Sequence, residues 1–204
     1  MTPVEQPKFT SPVELPMRPK LLIVGAGGFG QAVAETAAES GMFDVVGFVD
    51  DRFPTVKRVA GISVFGCTED LSSLRHTADL VFVAIGSNAV RASVTESVVR
   101  QGFALATIVH PRAYVSPTVK IGIGTVVMAG SVIGSNCVLG DGVIAHYASA
   151  IDHDCVIGNY SHIGVNACVT GGVIFGRKVW LQTGCAVGRS VQIADGEVIS
   201  QSMR

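Results

Sequence analysis

Charge is scarce in this chain. Acidic and basic residues make up 15% of 204 residues, and 16 carboxylates against 15 Lys and Arg leave a formal net charge of −1. That balance offers no general attraction to nucleic acid or to an anionic membrane surface. Aromatic residues are also few, at 6% with a single Trp. No apolar run is long enough to span a bilayer, and the Pro-rich start lacks the basic and apolar regions of a signal peptide. A soluble cytoplasmic protein with no membrane insertion is expected. The five cysteines show no C-x-x-C spacing, which argues against a disulfide framework or a zinc ribbon. Cys137, Cys155 and Cys185 fall instead on the small position of a repeat, where a thiol packs as a small apolar group.

That repeat is the dominant feature present. From Val115 to Ile199 a large apolar residue recurs at every sixth position, lapsing only at Ala145, and two residues before each sits a small or β-branched residue, failing only at Glu197. The residue after is often Gly, as at Gly122, Gly134, Gly140, Gly158, Gly164 and Gly176. Neither a helix nor an alternating strand keeps that spacing. A six-residue period is the signature of a parallel β-helix in which each hexad makes one short strand and one turn. Three hexads complete a triangular coil, so residues eighteen apart are stacked. Fifteen hexads give about five coils, on the order of 24 Å tall at the spacing of neighbouring strands. The bland reading of such a prism is a structural spacer.

The remainder divides in two. Residues 1–19 carry five of the eight prolines and no periodicity, and are expected to be a flexible tail. Residues 20–109 alternate strand and helix: strands at 21–24, 45–49, 62–65, 80–85 and 104–109, helices at 31–40, 69–74 and 88–101. Such alternation implies a parallel sheet with right-handed crossovers, a small Rossmann-like α/β domain. The all-β prism then occupies residues 110–204. Between the first strand and helix lies Gly25-Ala26-Gly27-Gly28-Phe29-Gly30. This G-x-G-x-x-G loop lets backbone N–H groups approach a phosphate at a helix N-terminus, and Asp50, twenty residues on, suits a ribose hydroxyl. About ninety residues suffice for one mononucleotide-binding half, not for the two that NAD spans. A nucleotide-linked ligand is therefore preferred to intact NAD or to a purely structural turn, with Gly86-Ser87-Asn88 closing the same crevice.

Three of the five histidines, His146, His153 and His162, lie in the prism near Asp152 and Asp154. The hexad register turns all three outward or into a turn, on different faces, so that one chain alone does not converge them. Packing prisms side by side would bring one chain's His153 near another's His162. His153 has only Ser135 below and Gly171 above it, which leaves room beside the imidazole, while the neighbour above His162 is Trp180. A solvated surface histidine is the bland alternative. A metal site like that of the gamma-class carbonic anhydrases, trimeric β-helices, is a competitor, but those enzymes use histidines about five apart where the gaps here are seven and nine. General-base catalysis by His153 on a nucleophile attacking an acyl group is the other use.

GAGGFG, Val49-Asp50-Asp51, Ala84-Ile85-Gly86-Ser87-Asn88, His110-Pro111 and Ile151-Asp152-His153-Asp154-Cys155-Val156-Ile157-Gly158 with Ser161-His162 together resemble the bacterial sugar acyltransferases. These include the sialic acid O-acetyltransferase type and the UDP-4-amino-sugar N-acetyltransferases, hexapeptide-repeat enzymes with a left-handed parallel β-helix. The resemblance spans about residues 20–200. It implies an acetyltransferase using acetyl-CoA and no metal, working as a homotrimer on an amine or hydroxyl of a nucleotide-sugar in glycan synthesis. It further implies His153 as general base supported by Asp154; a nucleotide-sugar site from Gly25, Gly27, Gly28, Phe29, Asp50, Asp51, Gly86, Asn88 and His146; and an acyl-donor site from His162 and Gly171, with Thr183 beyond them and the Gly171 N–H on the thioester oxygen. Of the four basic residues in the hexads, Arg177, Lys178 and Arg189 come late, which suits CoA phosphates and places Arg189 at the donor, with plain surface charge as the alternative. Adjacent strand residues point to opposite sides, so Asp154 can reach His153 only if the turn bends there. Three departures stand out: Phe29 where the family often has histidine, His146 where the amino-sugar enzymes carry asparagine, and an end at Arg204 without a further strand and tail over CoA. A non-catalytic nucleotide-sugar sensor on a decayed enzyme, and the metal-dependent lyase, remain as alternatives.

Overall fold

The computed structural model describes residues 17–203. Apart from Met17, Arg18 and Pro19, the expected Pro-rich tail lies outside the described residues. The apolar run Leu21–Val24 forms the buried part of strand β1 (Lys20–Val24), and Gly25 ends it. Helix α1 (Gly28–Ser40) is closed by Gly41 in the left-handed region, where a glycine pays no Cβ penalty. Strand β2 (Asp44–Val49) follows. The strand expected over 62–65 is instead the second arm of a small antiparallel hairpin, β3 (Arg58–Val59) with β4 (Ile62–Ser63), and pairs with the main sheet through an isolated Phe48–Val64 bridge. Ala60-Gly61, both at positive φ, make the tight turn that closes this hairpin. A 3-10 helix (Thr68–Leu74), strand β5 (Leu80–Val83), helix α2 (Asn88–Arg100) and strand β6 (Ala104–Leu105) complete the unit. Its sheet is parallel in the order β2-β1-β5-β6.

The strand expected over 104–109 divides between two sheets. Its first half is β6; its second, β7 (Ile108–Val109), pairs with Val126–Val127 and is the first rung of the prism. From β7 the chain runs through two-residue strands to β22 (Val198–Ile199), forming three parallel sheets whose partners are eighteen residues apart throughout. The inward residues, including Ile133, Leu139, Ile151, Ile157, Ile163, Val169, Phe175 and Leu181, are buried in one column. One corner residue in each hexad from Gly124 to Gly196 adopts positive φ: glycine at several corners, but Asn136, Ala148, Asp154, Tyr160, Asn166, Lys178 and Ser190 at others. All five cysteines are free thiols.

The two units share a core. On the prism face built from β7, β10 (Val126–Val127) and β13 (Ile144–Ala145), the outward residues Ile108, Val126 and Ile144 pack with Val33, Ala34 and Ala37 of α1 and with Ile23 and Phe82. The same face continues upward through β16 (His162–Ile163), β19 (Trp180–Leu181) and β22. Its outward residues there are His162, Trp180 and Val198.

Candidate active site

The glycine loop is held from below. Gly25 has φ of 102° and packs so tightly that a Cβ would lie 2.7 Å from the Ala84 carbonyl oxygen, while a Cβ on Gly30 would fall on the Gly25 carbonyl. Gly27 and Gly28, in contrast, open onto empty space, as does Gly86 across the crevice. Backbone N–H groups at the start of α1 are thereby left accessible to an anion. Asp50 accepts a hydrogen bond from the Ala26 N–H at 2.7 Å and a bidentate pair from Arg52 at 2.7 and 2.9 Å. The Arg52 guanidinium, with the Ala26 N–H, holds the Asp50 carboxyl far below its usual range. Asp51 accepts from the Thr68 N–H and hydroxyl at 2.8 and 2.7 Å. Both acids expected at the ligand are thus engaged in shaping the loop and its surroundings.

Asn88 is likewise engaged. Its Nδ2 donates to the Lys178 and Val179 carbonyls at 2.9 and 3.2 Å, tying the start of α2 to the prism, and its Oδ1 accepts from Arg91. Arg91 escaped the sequence reading. It is 1% exposed; its guanidinium donates to the carbonyls of Ile85, Gly86, Gly142 and Tyr160, joining the β5–α2 turn to two prism corners. Burial lowers its pKa to about 10. The signal was present: with Thr95 and Val98, Arg91 lies on the buried stripe of α2, where a charged residue needs partners.

The histidines fall into two places. His146 and His162 do converge within one chain, contrary to the expectation of separate faces: their rings stack at 5.8 Å between centroids, 15° apart. Trp180 continues the stack at 6.0 Å from His162, and Phe29 of the glycine loop caps it at 5.7 Å from His146. His162 faces away from the prism core, yet the N-terminal unit covers it. Both its ring nitrogens are buried without a hydrogen-bond partner among the described residues. Burial first, then the charges of Arg91 and His146, bring its pKa down to about 3; the nearby Gly86 backbone opposes this without making a hydrogen bond. Burial also lowers the pKa of His146. His162, Lys178, Trp180, Val198 and the Gly86–Ala89 segment enclose a crevice of about 590 Å³.

His153 stands apart, at the corner between β14 (Ala150–Ile151) and β15 (Val156–Ile157). Its Nδ1 lies 2.7 Å from Asp154 Oδ2. The bend that this contact requires exists, because Asp154 is a left-handed corner residue with φ of 58°. Asn136, one coil below, donates to the other Asp154 oxygen at 3.1 Å. These hydrogen bonds, His153 first, lower the Asp154 pKa, so the carboxylate is an acceptor and Nδ1 carries the proton. Nε2 is left as the basic nitrogen, 3.7 Å from Asp152 Oδ2. Gly171 lies directly against the ring; a Cβ there would be 2.6 Å from Nε2. Its N–H donates to no backbone carbonyl among the described residues. Thr183 and Arg189 are exposed, further along the prism. No three His, Cys, Asp or Glu side chains converge on a metal position among the described residues, and no described helix is long and apolar enough to cross a membrane.

The model of the PglD N-terminal domain family matches residues 20–98. The acetyltransferase domain of PglB from Neisseria gonorrhoeae, solved in complex with acetyl coenzyme A, is 36% identical over 89% of this chain and 96% of that one, with a TM-score of 0.75. PerB from Caulobacter crescentus, solved in complex with CoA and GDP-perosamine, is 31% identical over 90% of this chain and 89% of that one, with a TM-score of 0.72. UDP-N-acetylbacillosamine N-acetyltransferase of Bacillus subtilis is 33% identical over 110 residues, 52% of this chain. The match spans half the length of that curated relative.

Proposed function

The chain belongs to the PglD-like hexapeptide acyltransferases, and from that membership and the setting of His153 we propose that it transfers the acetyl group of acetyl-CoA to an amine on a nucleotide-linked sugar, in the cytoplasm. Amine rather than hydroxyl transfer is favoured by the N-acetyltransferase activity named for the Bacillus relative. Residues 20–109 hold the nucleotide, with phosphate at Gly27 and Gly28 and the sugar directed past Phe29 and His146. Asp50, Asp51 and Asn88 serve that site by fixing the loops around it. Residues 110–204 supply the chemistry.

The observation that carries the reading is the geometry at His153. Asp154 fixes the tautomer and ring orientation through Nδ1, so that Nε2 can take a proton from the attacking nitrogen. The nitrogen attacks the thioester carbonyl carbon, and the Gly171 N–H receives the oxyanion that develops, a donor needing no reorganisation. As the C–S bond breaks, the proton held on Nε2 passes to the departing thiolate, giving amide and free CoA. No covalent acyl-enzyme is needed.

His153 and the His162 crevice lie on separate parts of one prism, and this supports a homotrimer in which neighbouring prisms enclose each site. The outward residues Val138, Val156 and Ile174 form an exposed apolar stripe along one prism face, suited to such packing. The acyl donor then runs along the groove, with His162 near its acyl end and Thr183 and Arg189 further along. His153→Ala is the test: turnover should fall roughly 10²- to 10⁴-fold with unchanged melting temperature and acetyl-CoA affinity, because the ring is exposed. Wild-type turnover in that variant would overturn the mechanism, and a monomer of about 21 kDa by light scattering would remove the shared site.

A further inference from the structure

Asp152 is the one group beside His153 that this mechanism leaves without a task. Its carboxylate is exposed, accepts no hydrogen bond among the described residues, and lies 3.7 Å from His153 Nε2. Asp154 holds the proton of the neutral imidazole on Nδ1, and in that tautomer Nε2 presents a lone pair. Two acceptors therefore face one gap, and neither has a donor among the described residues. A primary ammonium or amine nitrogen carries at least two N–H groups and can donate to both at once. A hydroxyl has a single hydrogen and can serve only one.

We infer that Asp152 is the residue that selects an amine over a hydroxyl acceptor, receiving one N–H of the acceptor nitrogen while His153 Nε2 receives another. The inference rests on His153 being the general base. A 4-amino sugar arrives largely protonated at neutral pH, and the carboxylate stabilises that ammonium where a neutral hydroxyl gains nothing. One proton leaves the ammonium for bulk water by way of Nε2. The neutral amine then attacks the thioester carbon, forming C–N and breaking C–S. The second proton goes to Nε2 and on to the thiolate, so ammonium and acetyl thioester become amide, CoA thiol and one released proton. Asp152 meanwhile holds the remaining N–H, which keeps the nitrogen lone pair aimed at the carbonyl beside Gly171. The two acids thus divide the work: Asp154, held by Asn136, orients the base, and Asp152 orients the nucleophile.

The test uses full-length protein, acetyl-CoA and both GDP-perosamine and a UDP-linked 4-amino sugar, with the 4-hydroxy sugar nucleotide of the same series as a competitive inhibitor. Asp152→Asn should raise the KM for the amino sugar about 10- to 100-fold, as expected for losing one charge-assisted hydrogen bond. The inhibition constant of the hydroxyl analogue should stay within about threefold, since one hydrogen can still bond Nε2. Asp152→Glu should recover part of the amine preference. Equal weakening of amine and hydroxyl compounds would mean that Asp152 only supports the fold and would refute the inference, as would an unchanged amino-sugar KM. No turnover of either amino sugar by the wild type, or full activity of His153→Ala, would instead count against the proposed function itself.

Discussion

Gly171→Ala separates positioning from folding. Gly171 is not in the left-handed region, so alanine brings no backbone strain, and the nearest group its methyl meets is the His153 ring, at 2.6 Å from Nε2 and 2.7 Å from Cε1. Ordinary carbon contacts begin near 3.5 Å, so the ring must retreat by roughly 1 Å. The ring can do so, because the His153 side chain is 47% exposed, and stability should change by less than about 0.5 kcal/mol. A 1 Å displacement of a reacting group costs on the order of 10²-fold in rate, and the loss should appear in kcat. Gly158→Ala is the contrasting control, since its methyl would fall on the backbone carbonyl of Gly176 in the next coil, which cannot yield. Thiol release from acetyl-CoA with an amino-sugar nucleotide measures the rate, thermal unfolding the stability, and long-range histidine ¹H–¹⁵N spectra the ring displacement without substrate. Gly171→Ala turning over within threefold of wild type, with His153 resonances shifted, would refute the positional argument. A melting temperature as low as that of Gly158→Ala would do the same.

Arg91→Met should destabilise the protein by about 3 kcal/mol or more in urea unfolding, because it strips the Ile85, Gly86, Gly142 and Tyr160 carbonyls of a donor at the junction of the two units; Arg91→Lys, with three donors in a different geometry, should restore only part. An Arg91→Met protein as stable as wild type would mean that water replaces the guanidinium. His162 should make stability fall on acidification. The folded side chain stays neutral down to about pH 3 and the unfolded one is protonated below its ordinary 6.5, so between these values the unfolded state binds the extra proton. From pH 6.5 to pH 5 the loss is about 1.5 kcal/mol. His162→Phe, which keeps the stack with His146 and Trp180, should flatten that part of the melting-temperature profile, and an unchanged slope would show that His162 is not its source.

The prism was legible because its information is local and repeated. Each strand pairs with the residue eighteen positions away, so the register of every rung, the inward column and the stacking of Gly171 on His153 follow from counting. The glycine loop was legible for a similar reason: strand, turn and helix are adjacent, and close approaches such as Gly30 on Gly25 demand glycine. The boundary between the units was blurred by one residue pair, because Ile108–Val109 reads like a continuation of the strand before it and only pairing with Val126–Val127 assigns it to the prism.

What escaped the sequence depends on backbone handedness at single corners and on contacts that follow no period. Alternation places Asp154 on the far side of its strand from His153; a positive φ at that corner reverses this and brings the carboxylate to Nδ1. Nor does any spacing announce that Asn88 meets Lys178, or that Arg91 meets Gly142 and Tyr160. The N-terminal unit settles onto one prism face through shared apolar burial, which is non-directional and carries no register. That docking alone decided that His146 and His162 stack beneath Phe29, and that the His162 ring nitrogens are buried rather than solvated. Sequence periodicity thus determined the scaffold and the position of His153, while tertiary docking and corner geometry decided the burial and partners of the groups around it.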